Sequence, residues 1–278
     1  MAEMQFRSRL QALPFDLKYR LGELSLQIGM TPSSRQKAIL QAFKDYGIDV
    51  IEVGTGTNRT IVKYDGYALK IALDQDGVAD NRQEWVMSES LQPYVAQTHE
   101  ISKGGHLLVA SYCPAFSTYS EFVQHNDTIK NILTIWGQRY LLGDVGLTKK
   151  NYANWGLTPD GKPVCIDYAY IFPVGMDIFK CLCGNSTMIF ADSTFNSYKC
   201  PECNRRYSDS ELRAQISQKE RLQLFENVSG IEMHEPIEMH KIDDKYIQVD
   251  DNVNAPDPYE LGGMLSDIEN YGFVRNIY

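Results

Sequence analysis

The sequence lacks any long hydrophobic run, since no apolar stretch in its 278 residues approaches the roughly 18 residues that indicate a membrane span. It also lacks an excess of basic residues, because 27 lysines and arginines stand against 36 aspartates and glutamates, for a formal net charge of -9. This balance argues against a protein whose whole surface binds nucleic acid, although a local basic patch is compatible with it. Residues 1–14 lack the hydrophobic segment of a signal peptide. We therefore expect a soluble, cytoplasmic protein with no membrane partner.

Cysteine is scarce, and the six present do not suggest the dense disulfide framework of a small secreted domain. Cys113 and Cys165 stand alone in apolar segments and are expected to be inert buried thiols. The other four form two pairs, and two thiolate pairs presented from tight turns can close a tetrahedral Zn(II) site. With four protein ligands the metal would have no open position, so it would be structural. The predicted ligands are Cys181, Cys183, Cys200 and Cys203.

The first of these pairs is less standard than the second. Cys181 and Cys183 are separated by one residue, where about two to four are usual, whereas Cys200-Pro-Glu-Cys203 has the usual spacing. The alternative to a zinc ribbon is four free thiols.

Hydrophobic periodicity predicts helices over residues 5–47 and then three short strands over 50–53, 60–64 and 67–73. Asp65-Gly66, between the second and third strands, is a strong hairpin signal. Further helices are predicted over residues 80–92, with Asp80 as the candidate cap, 127–142 and 208–227. Further strands are predicted over residues 107–110 and 163–167.

The turn between the first two predicted strands contains Gly54 and Gly56, and a glycine-rich turn lets backbone amides approach phosphate oxygens. The third strand places Lys70 among apolar residues, where an unpaired ammonium would be costly. Glu84, in the following predicted helix, is the candidate partner that would hold Lys70 toward a phosphate. Each feature alone has an ordinary explanation, since glycines are common in loops and a lone lysine commonly marks an exposed strand edge. Their order along the chain favours a phosphate site.

Two later side chains carry oxygen atoms of the kind that Mg(II) prefers. Asn154 and Asp167 flank a hairpin predicted over residues 157–164, which would bring the two side chains together. The alternative is that Asn154 belongs to a plain turn and that Asp167 caps the end of a strand.

In this order the motifs resemble those of protein kinases. Residues 53–59 resemble the loop that covers the nucleotide, Lys70 resembles the phosphate-binding lysine of the third strand, and Glu84 matches its helical partner. Asn154 and Asp167-Tyr-Ala resemble the catalytic-loop asparagine and the Asp-Phe-Gly triplet, which hold Mg(II). The resemblance covers about residues 45–175. Within the kinase-like families, the motifs resemble those of compact, divergent kinase-like chains of bacteriophages.

The sequence departs from the kinase pattern at two positions. Arg59 stands in place of the third glycine of the loop, and Lys149 stands where the motif Asp-x-x-x-x-Asn has its catalytic aspartate. The nearest upstream acid is Asp144, ten positions before Asn154. Either the loop carries an insertion over residues 148–152 and Asp144 acts as the base, or the base is absent.

The resemblance implies an α+β fold of the bilobal protein-kinase-like type, partly degenerate, with an inserted or appended four-cysteine zinc ribbon. It divides the chain into a helical N-terminal segment (1–47), a small lobe (48–112), a large-lobe core (113–178), the zinc ribbon (179–208) and a helix with an acidic tail (209–278).

The implied function is an ATP- and Mg(II)-dependent phosphotransferase, namely a divergent Ser/Thr protein-kinase-like protein that acts on a protein substrate. Lys70, Asp144 and Asp167 would be catalytic, and the nucleotide and its metal would be bound by Gly54, Gly56, Lys70, Glu84, Asn154 and Asp167.

Two alternatives belong to other functional classes. The displaced base and the missing third glycine favour a catalytically inactive kinase-like scaffold that binds a host or virion protein, which would place a viral chain in the host cytoplasm or the virion. A zinc-ribbon adaptor for nucleic acid is favoured by the basic residues around the cysteines, which are Lys199, Arg205, Arg206 and Arg213.

Overall fold

The fold was analysed in a computed structural model, which describes residues 9–27, 29–173, 179–185, 188–192, 197–216 and 221. All of these residues belong to the unit Met1–Phe225. Within these ranges every helix is too short or too polar to span a membrane. The elements are a mixture of helices and antiparallel strands, which confirms the α+β class predicted from the sequence.

Three helices precede the first strand: α1 (Arg9–Ala12), α2 (Phe15–Leu26) and α3 (Pro32–Asp45). Thr31 caps α3 by accepting a hydrogen bond from the backbone N–H of Ser34, and Pro32 occupies the first turn, where its missing N–H has no cost. Leu10, Leu13, Leu17 and Leu21, which recur at helical spacing, are buried against the sheet together with Ile39 and Phe43. The predicted residues 5–8 lie outside the described part of the chain.

A five-stranded antiparallel sheet follows, in the spatial order β1-β2-β3-β5-β4. Asp65 and Gly66 join β2 to β3 with positive φ angles of 48° and 80°, as a two-residue hairpin turn requires. The edge strand β4 was not predicted, because its sequence Thr-His-Glu-Ile is short and mostly polar. The strands are β1 (Ile51–Thr55), β2 (Arg59–Tyr64), β3 (Tyr67–Ala72), β4 (Thr98–Ile101) and β5 (Leu107–Ser111).

Helix α4 (Gln75–Leu91) connects β3 to β4 and packs on the sheet. It begins five residues earlier than predicted, because Asp74 is its cap and accepts a hydrogen bond from the N–H of Gly77. The prediction of Asp80 as the cap is therefore wrong, and Asp80 is a buried residue of the second turn. A Cβ at Gly77 would lie 2.2 Å from the carbonyl oxygen of Asn58, so only glycine lets α4 approach the β1–β2 turn this closely.

A second group of elements follows the sheet, and it encloses a core in which Trp136 stacks on Trp155 at 6.0 Å. The helix predicted over residues 127–142 ends at Gly137, because the next residues form a strand, β6, that pairs with β9. The hairpin predicted over residues 157–164 is confirmed as β7 and β8. The elements are α5 (Tyr119–Val123), α6 (Asn126–Gly137), β6 (Tyr140–Leu142), β7 (Trp155–Leu157), β8 (Pro163–Cys165) and β9 (Ile171–Pro173).

The cysteine segment forms a three-stranded antiparallel sheet, β10 (Ile189–Asp192), β11 (Ser197–Lys199) and β12 (Arg206–Ser208). Helix α7 (Asp209–Arg213) follows at once, with a capping box between Ser208 and Glu211. Of the helix predicted over residues 208–227, the described residues 214–216 are not helical, whereas Arg221 is helical. Residues 217–220 and 222–227 lie outside the described part.

Candidate functional site

A cleft of about 350 Å³ lies between the β1–β2 turn, helix α4 and the loops that follow β6 and β8. It brings together residues from distant parts of the sequence, including three of the predicted site residues that carry side-chain oxygen. The described residues that line it are Gly56, Thr57, Asn58, Arg59, Ile61, Asp80, Gly143, Asp144, Asn154, Asp167 and Tyr170.

The β1–β2 turn forms one wall of the cleft. The N–H of Gly56 donates to the carbonyl oxygen of Arg59 at 2.9 Å, and the N–H of Leu73 donates to that of Asn58 at 2.7 Å, which fixes the turn on the sheet. Gly56 lines the cleft, whereas Gly54 lies in β1 outside its lining. A Cβ would meet open space at Gly54 and only ordinary contact at Gly56. The turn itself does not require glycine, so the lack of a side chain at Gly56 would matter for the close approach of a ligand, and Gly54 lies outside the contact that was predicted for it.

Lys70 and Glu84 meet beneath this wall. The ammonium of Lys70 donates to Glu84 Oε2 and, at 2.6 Å, to the carbonyl oxygen of Ile166. Both side chains are almost inaccessible to solvent, with relative exposures of 2% and 0%. The structure thus brings together the pair that the sequence predicted, although Lys70 is outside the described lining of the cleft. Glu84 is outside this lining as well, so the pair contributes by linking β3 and α4 to Ile166, the neighbour of the lining residue Asp167.

Arg59 connects the parts of the cleft, and reasoning from the sequence had missed this role. Its guanidinium lies 2.8 Å from Glu84 Oε1, 2.7 Å from Asp167 Oδ1 and 3.9 Å from Asp80 Oδ2. Burial alone would lower the pKa of Arg59, but the carboxylates of Glu84, Asp167 and Asp80 raise it above its ordinary value. The only local signal was an arginine at a glycine position of the resembled loop.

Asp167 and Asn154 face the same cleft, as the sequence predicted. The carbonyl oxygen of Asn154 accepts from the N–H of Ile166 at 2.8 Å, which holds the start of β7 beside the end of β8. The Asp167 side chain is 41% exposed, so it combines an ion pair to Arg59 with access to the cleft. Burial would raise the pKa of Asp167, but Arg59 and Lys70 hold it below its ordinary value, and the group is therefore a carboxylate at neutral pH.

Asp144 lies in the cleft and Lys149 does not. The side-chain amide of Asn154 donates to the carbonyl oxygen of Asp144 at 2.7 Å, and Asp144 itself has a positive φ of 57°. Lys149 is exposed, and between Asp144 and Asn154 the chain forms a turn in which the N–H of Asn151 donates to the carbonyl oxygen of Thr148 at 3.0 Å. Of the two alternatives left open by the sequence, this geometry favours an insertion that leaves Asp144 in the site.

A further arginine contacts the cleft region from the C-terminal side. Arg221 lies 2.5 Å from Asp80 Oδ1 and 3.7 Å from Asp76, and its guanidinium covers the ring of Tyr170 at 4.4 Å. Three cations therefore face three buried or half-buried carboxylates around the cleft, which are Arg59, Lys70 and Arg221 against Asp80, Glu84 and Asp167.

The four paired cysteines form a second candidate site. All four sulfur atoms lie within 4.8 Å of one another, with Cys181 Sγ 3.3 Å from Cys203 Sγ and Cys183 Sγ 3.6 Å from Cys200 Sγ. Four sulfurs at about 2.3 Å from one Zn(II) would be about 3.8 Å apart, so the cluster has the dimensions of a tetrahedral metal site. The single-residue spacing of the first pair therefore does not prevent closure.

The turns and neighbours of the cysteines fit a metal site. Gly184 and Asn204 follow the two pairs with positive φ angles of 92° and 61°, which folds each pair into a tight turn. The Tyr207 hydroxyl donates to Cys181 Sγ at 3.1 Å, and the side-chain amide of Asn185 lies 3.8 Å from Cys200 Sγ. Such donors stabilise ligand sulfurs in the thiolate form.

The cysteine sheet is attached close to the cleft. The Tyr198 hydroxyl accepts from the N–H of Leu142 and donates to the carbonyl of Tyr140 at 3.3 Å, so β11 is bonded to β6, which ends just before Asp144. The ring of Phe190 lies against Gly137, where a Cβ would be 2.4 Å from it. The two remaining cysteines, Cys113 and Cys165, are buried, and burial raises the pKa of each thiol, as expected for unreactive core residues.

No protein-family model matches this chain, and no curated protein matches it. The functional assignment therefore depends on the geometry of the cleft and of the cysteine cluster.

Proposed function

We propose that this chain is an ATP- and Mg(II)-dependent phosphotransferase of the protein-kinase-like type that transfers phosphate to a protein hydroxyl. The observation that carries the proposal is the convergence of the β1–β2 turn with Asp144, Asn154 and Asp167 on one cleft, backed by the buried Lys70–Glu84 pair. These are the parts that phosphoryl transfer uses, namely a backbone turn for phosphates, a lysine–glutamate pair, two oxygen ligands for Mg(II) and a carboxylate for the acceptor.

The order of elements supports the same proposal. The lysine lies on the third strand of an antiparallel sheet, its glutamate on the helix that follows, and the asparagine and aspartate at the two ends of one hairpin. This succession agrees with the kinase small lobe and the loop that follows it. The agreement is one of arrangement, and the bilobal kinase-like fold is part of the proposal.

The charge of the cleft favours a metal-bound nucleotide over a bare one. Among the described lining residues, the single cation Arg59 faces the carboxylates of Asp80, Asp144 and Asp167. Carboxylates that line a concave site attract a divalent cation, and a divalent cation in turn neutralises part of the charge of a bound triphosphate. The exposed part of the Asp167 carboxylate and the side-chain oxygen of Asn154 are the groups that would hold Mg(II), and ATP would supply the phosphoryl group.

In the proposed reaction Asp144 accepts the proton of the acceptor hydroxyl. The hydroxyl oxygen forms a bond to the γ-phosphorus while the bond from that phosphorus to the bridging oxygen breaks, and ADP leaves. Asn154 holds the backbone of Asp144 in place through its 2.7 Å hydrogen bond, and the Lys150 ammonium lies 3.7 Å from the Asp144 carboxylate. Lys70 keeps Glu84 and the end of β8 in register through Ile166.

The cysteine cluster is proposed to bind Zn(II) in a structural role. Four thiolates in a closed tetrahedral arrangement select zinc and leave it no position for a substrate. Because Tyr198 bonds this sheet to β6, the zinc ribbon would brace the strand that leads to Asp144.

The second candidate function is an inactive kinase-like scaffold that binds a protein partner. The ion pair between Arg59 and Asp167 favours it, since one oxygen of a proposed metal ligand is already occupied by a guanidinium. A nucleic-acid adaptor is the weaker candidate, supported by Lys199 and Arg206, two cations directly opposite each other on β11 and β12.

Transfer of labelled γ-phosphate from ATP to the chain itself or to a protein acceptor separates the enzyme from the scaffold. We expect Asp144→Asn to lower the rate by about 10²–10⁴-fold, the usual contribution of a positioned general base. The matched control is Asp160→Asn, which changes an exposed carboxylate of the β7–β8 turn and should leave the rate unaltered. Nucleotide binding without any transfer by the unaltered chain would favour the scaffold.

A further inference from the structure

Arg59 differs from the other charged residues of the cleft in the number of partners that it holds. One nitrogen, Nη2, contacts both Glu84 Oε1 and Asp167 Oδ1, and Nη1 lies 3.4 Å from Asn81 Oδ1. The side chain is 5% exposed, and its backbone begins β2 directly after the turn over the cleft. Arg59 therefore connects the wall proposed for phosphate to the carboxylate proposed for the metal.

The ion pair between Arg59 and Asp167 disfavours the binding of a metal ion to Asp167. A divalent cation at the Asp167 carboxylate would lie close to the guanidinium, and two cations at such a distance repel each other, because water screens the buried Arg59 side chain poorly. Without another anion, Arg59 would also lose a partner for its buried charge when the metal arrived. Metal binding by the protein alone is therefore disfavoured.

A phosphate group removes this conflict. Its oxygens accept paired hydrogen bonds from a guanidinium, and the turn that contains Gly56 already places Arg59 over the cleft. Glu84 would not be left unpaired by the exchange, because its other oxygen is bonded to Lys70. When both ligands are bound, Arg59 pairs with phosphate and Asp167 pairs with the metal. When neither ligand is present, Arg59 and Asp167 pair with each other.

We infer that Arg59 is a phosphate-binding residue that occupies Asp167 in the empty cleft, so that a divalent cation and a nucleotide phosphate bind together and each binds poorly alone. The inference rests on the proposed nucleotide site and names the residue that couples its two ligands. It also accounts for the arginine at a position where the resembled loop has glycine, since a glycine there could not compete for Asp167.

The test measures binding of Mn(II), as a probe for the divalent cation, by electron paramagnetic resonance to the zinc-loaded full-length chain. Titrations are made with and without a non-hydrolysable ATP analogue. For the unaltered chain we expect the analogue to tighten Mn(II) binding by about tenfold or more, within the usual range of coupling between two ligands. Arg59→Met should bind Mn(II) alone about tenfold more tightly than the unaltered chain, with the coupling largely lost.

Two further variants keep the test sharp. Arg59→Lys retains the charge and should retain most of the coupling, which separates a charge effect from damage to the fold. Arg139→Met removes an exposed arginine and should behave as the unaltered chain. Circular dichroism of each variant checks that it is folded.

The outcomes distinguish this inference from the proposed function. If the analogue and Mn(II) bind but Arg59→Met has the same affinity for Mn(II) alone and the same coupling as the unaltered chain, Arg59 has no such role and the nucleotide site stands. If the analogue binds neither the unaltered chain nor any variant, the proposed function fails and the inference fails with it.

Discussion

Replacing Glu84 with alanine is expected to lower the free energy of unfolding by about 3–5 kcal/mol, the range found when one partner of a buried ion pair is removed. The Glu84 carboxylate is fully buried and its two oxygens separately bond Lys70 and Arg59. Its loss leaves the Lys70 ammonium with a single backbone carbonyl as its partner. Urea unfolding followed by circular dichroism measures the change, with the urea concentrations at the unfolding midpoints compared at constant slope.

Lys70→Met provides an internal comparison, because it removes the other half of the same pair. Glu84 would keep Arg59 as its partner, so we expect a smaller loss, of about 1–3 kcal/mol, typical of a buried hydrogen-bonding group left partly unsatisfied. Glu89→Ala, on the exposed side of the same helix, is the matched control and should change stability by less than about 0.5 kcal/mol. Equal losses of unfolding free energy for Glu84→Ala and Lys70→Met would indicate that the Arg59–Glu84 ion pair does not contribute to stability.

Removing the metal is expected to have the second large effect. If the proposed site binds zinc, the purified chain should contain one zinc per molecule by elemental analysis, and Cys200→Ser should contain little or none, since it deletes a buried sulfur of the cluster. Structural zinc sites contribute an apparent binding free energy of about 10–16 kcal/mol at neutral pH, and folding of a small metal module depends on it. We therefore expect backbone amides over residues 197–208 to lose protection from hydrogen exchange in the variant.

Cys113→Ala is the matched control for this experiment, because it removes a buried cysteine outside the cluster. It should keep the full zinc content and the protection of the cysteine sheet. The zinc assignment would be overturned by a reduced, folded, unaltered chain that contains no zinc and takes up none when zinc is supplied.

The parts of the fold that the sequence predicted are those with local signals. Strands β2 and β3 were evident because apolar runs flank Asp65-Gly66, and the cysteine cluster was evident because its pairs each lie within a few residues. The start of α4 was misplaced because Gly77 reads as a helix breaker, whereas its lack of a side chain is what allows contact with Asn58.

The central role of Arg59 could not be predicted in the same way. Its ion pairs join residues that are 25 and 108 positions apart in the sequence, so no local sequence pattern indicates them. The position of Asp144 was ambiguous for a related reason. Asp144 is ten positions from Asn154 in the sequence, and this separation does not reveal whether the two residues are close in space. In the structure a turn at residues 148–151 brings the backbone of Asp144 to the side chain of Asn154.

The central claim is that this cleft binds a nucleotide together with Mg(II), and calorimetric titration of the zinc-loaded chain with Mg(II)-ATP tests it most directly. We predict saturable binding at one site, weakened by about tenfold or more, or about 1.4 kcal/mol, in Asp167→Asn, and unaltered in Asp160→Asn. Binding of equal strength in Asp167→Asn would place the nucleotide elsewhere. No binding by the unaltered, folded chain at millimolar Mg(II)-ATP would contradict the account and leave the cysteine cluster as its only supported site.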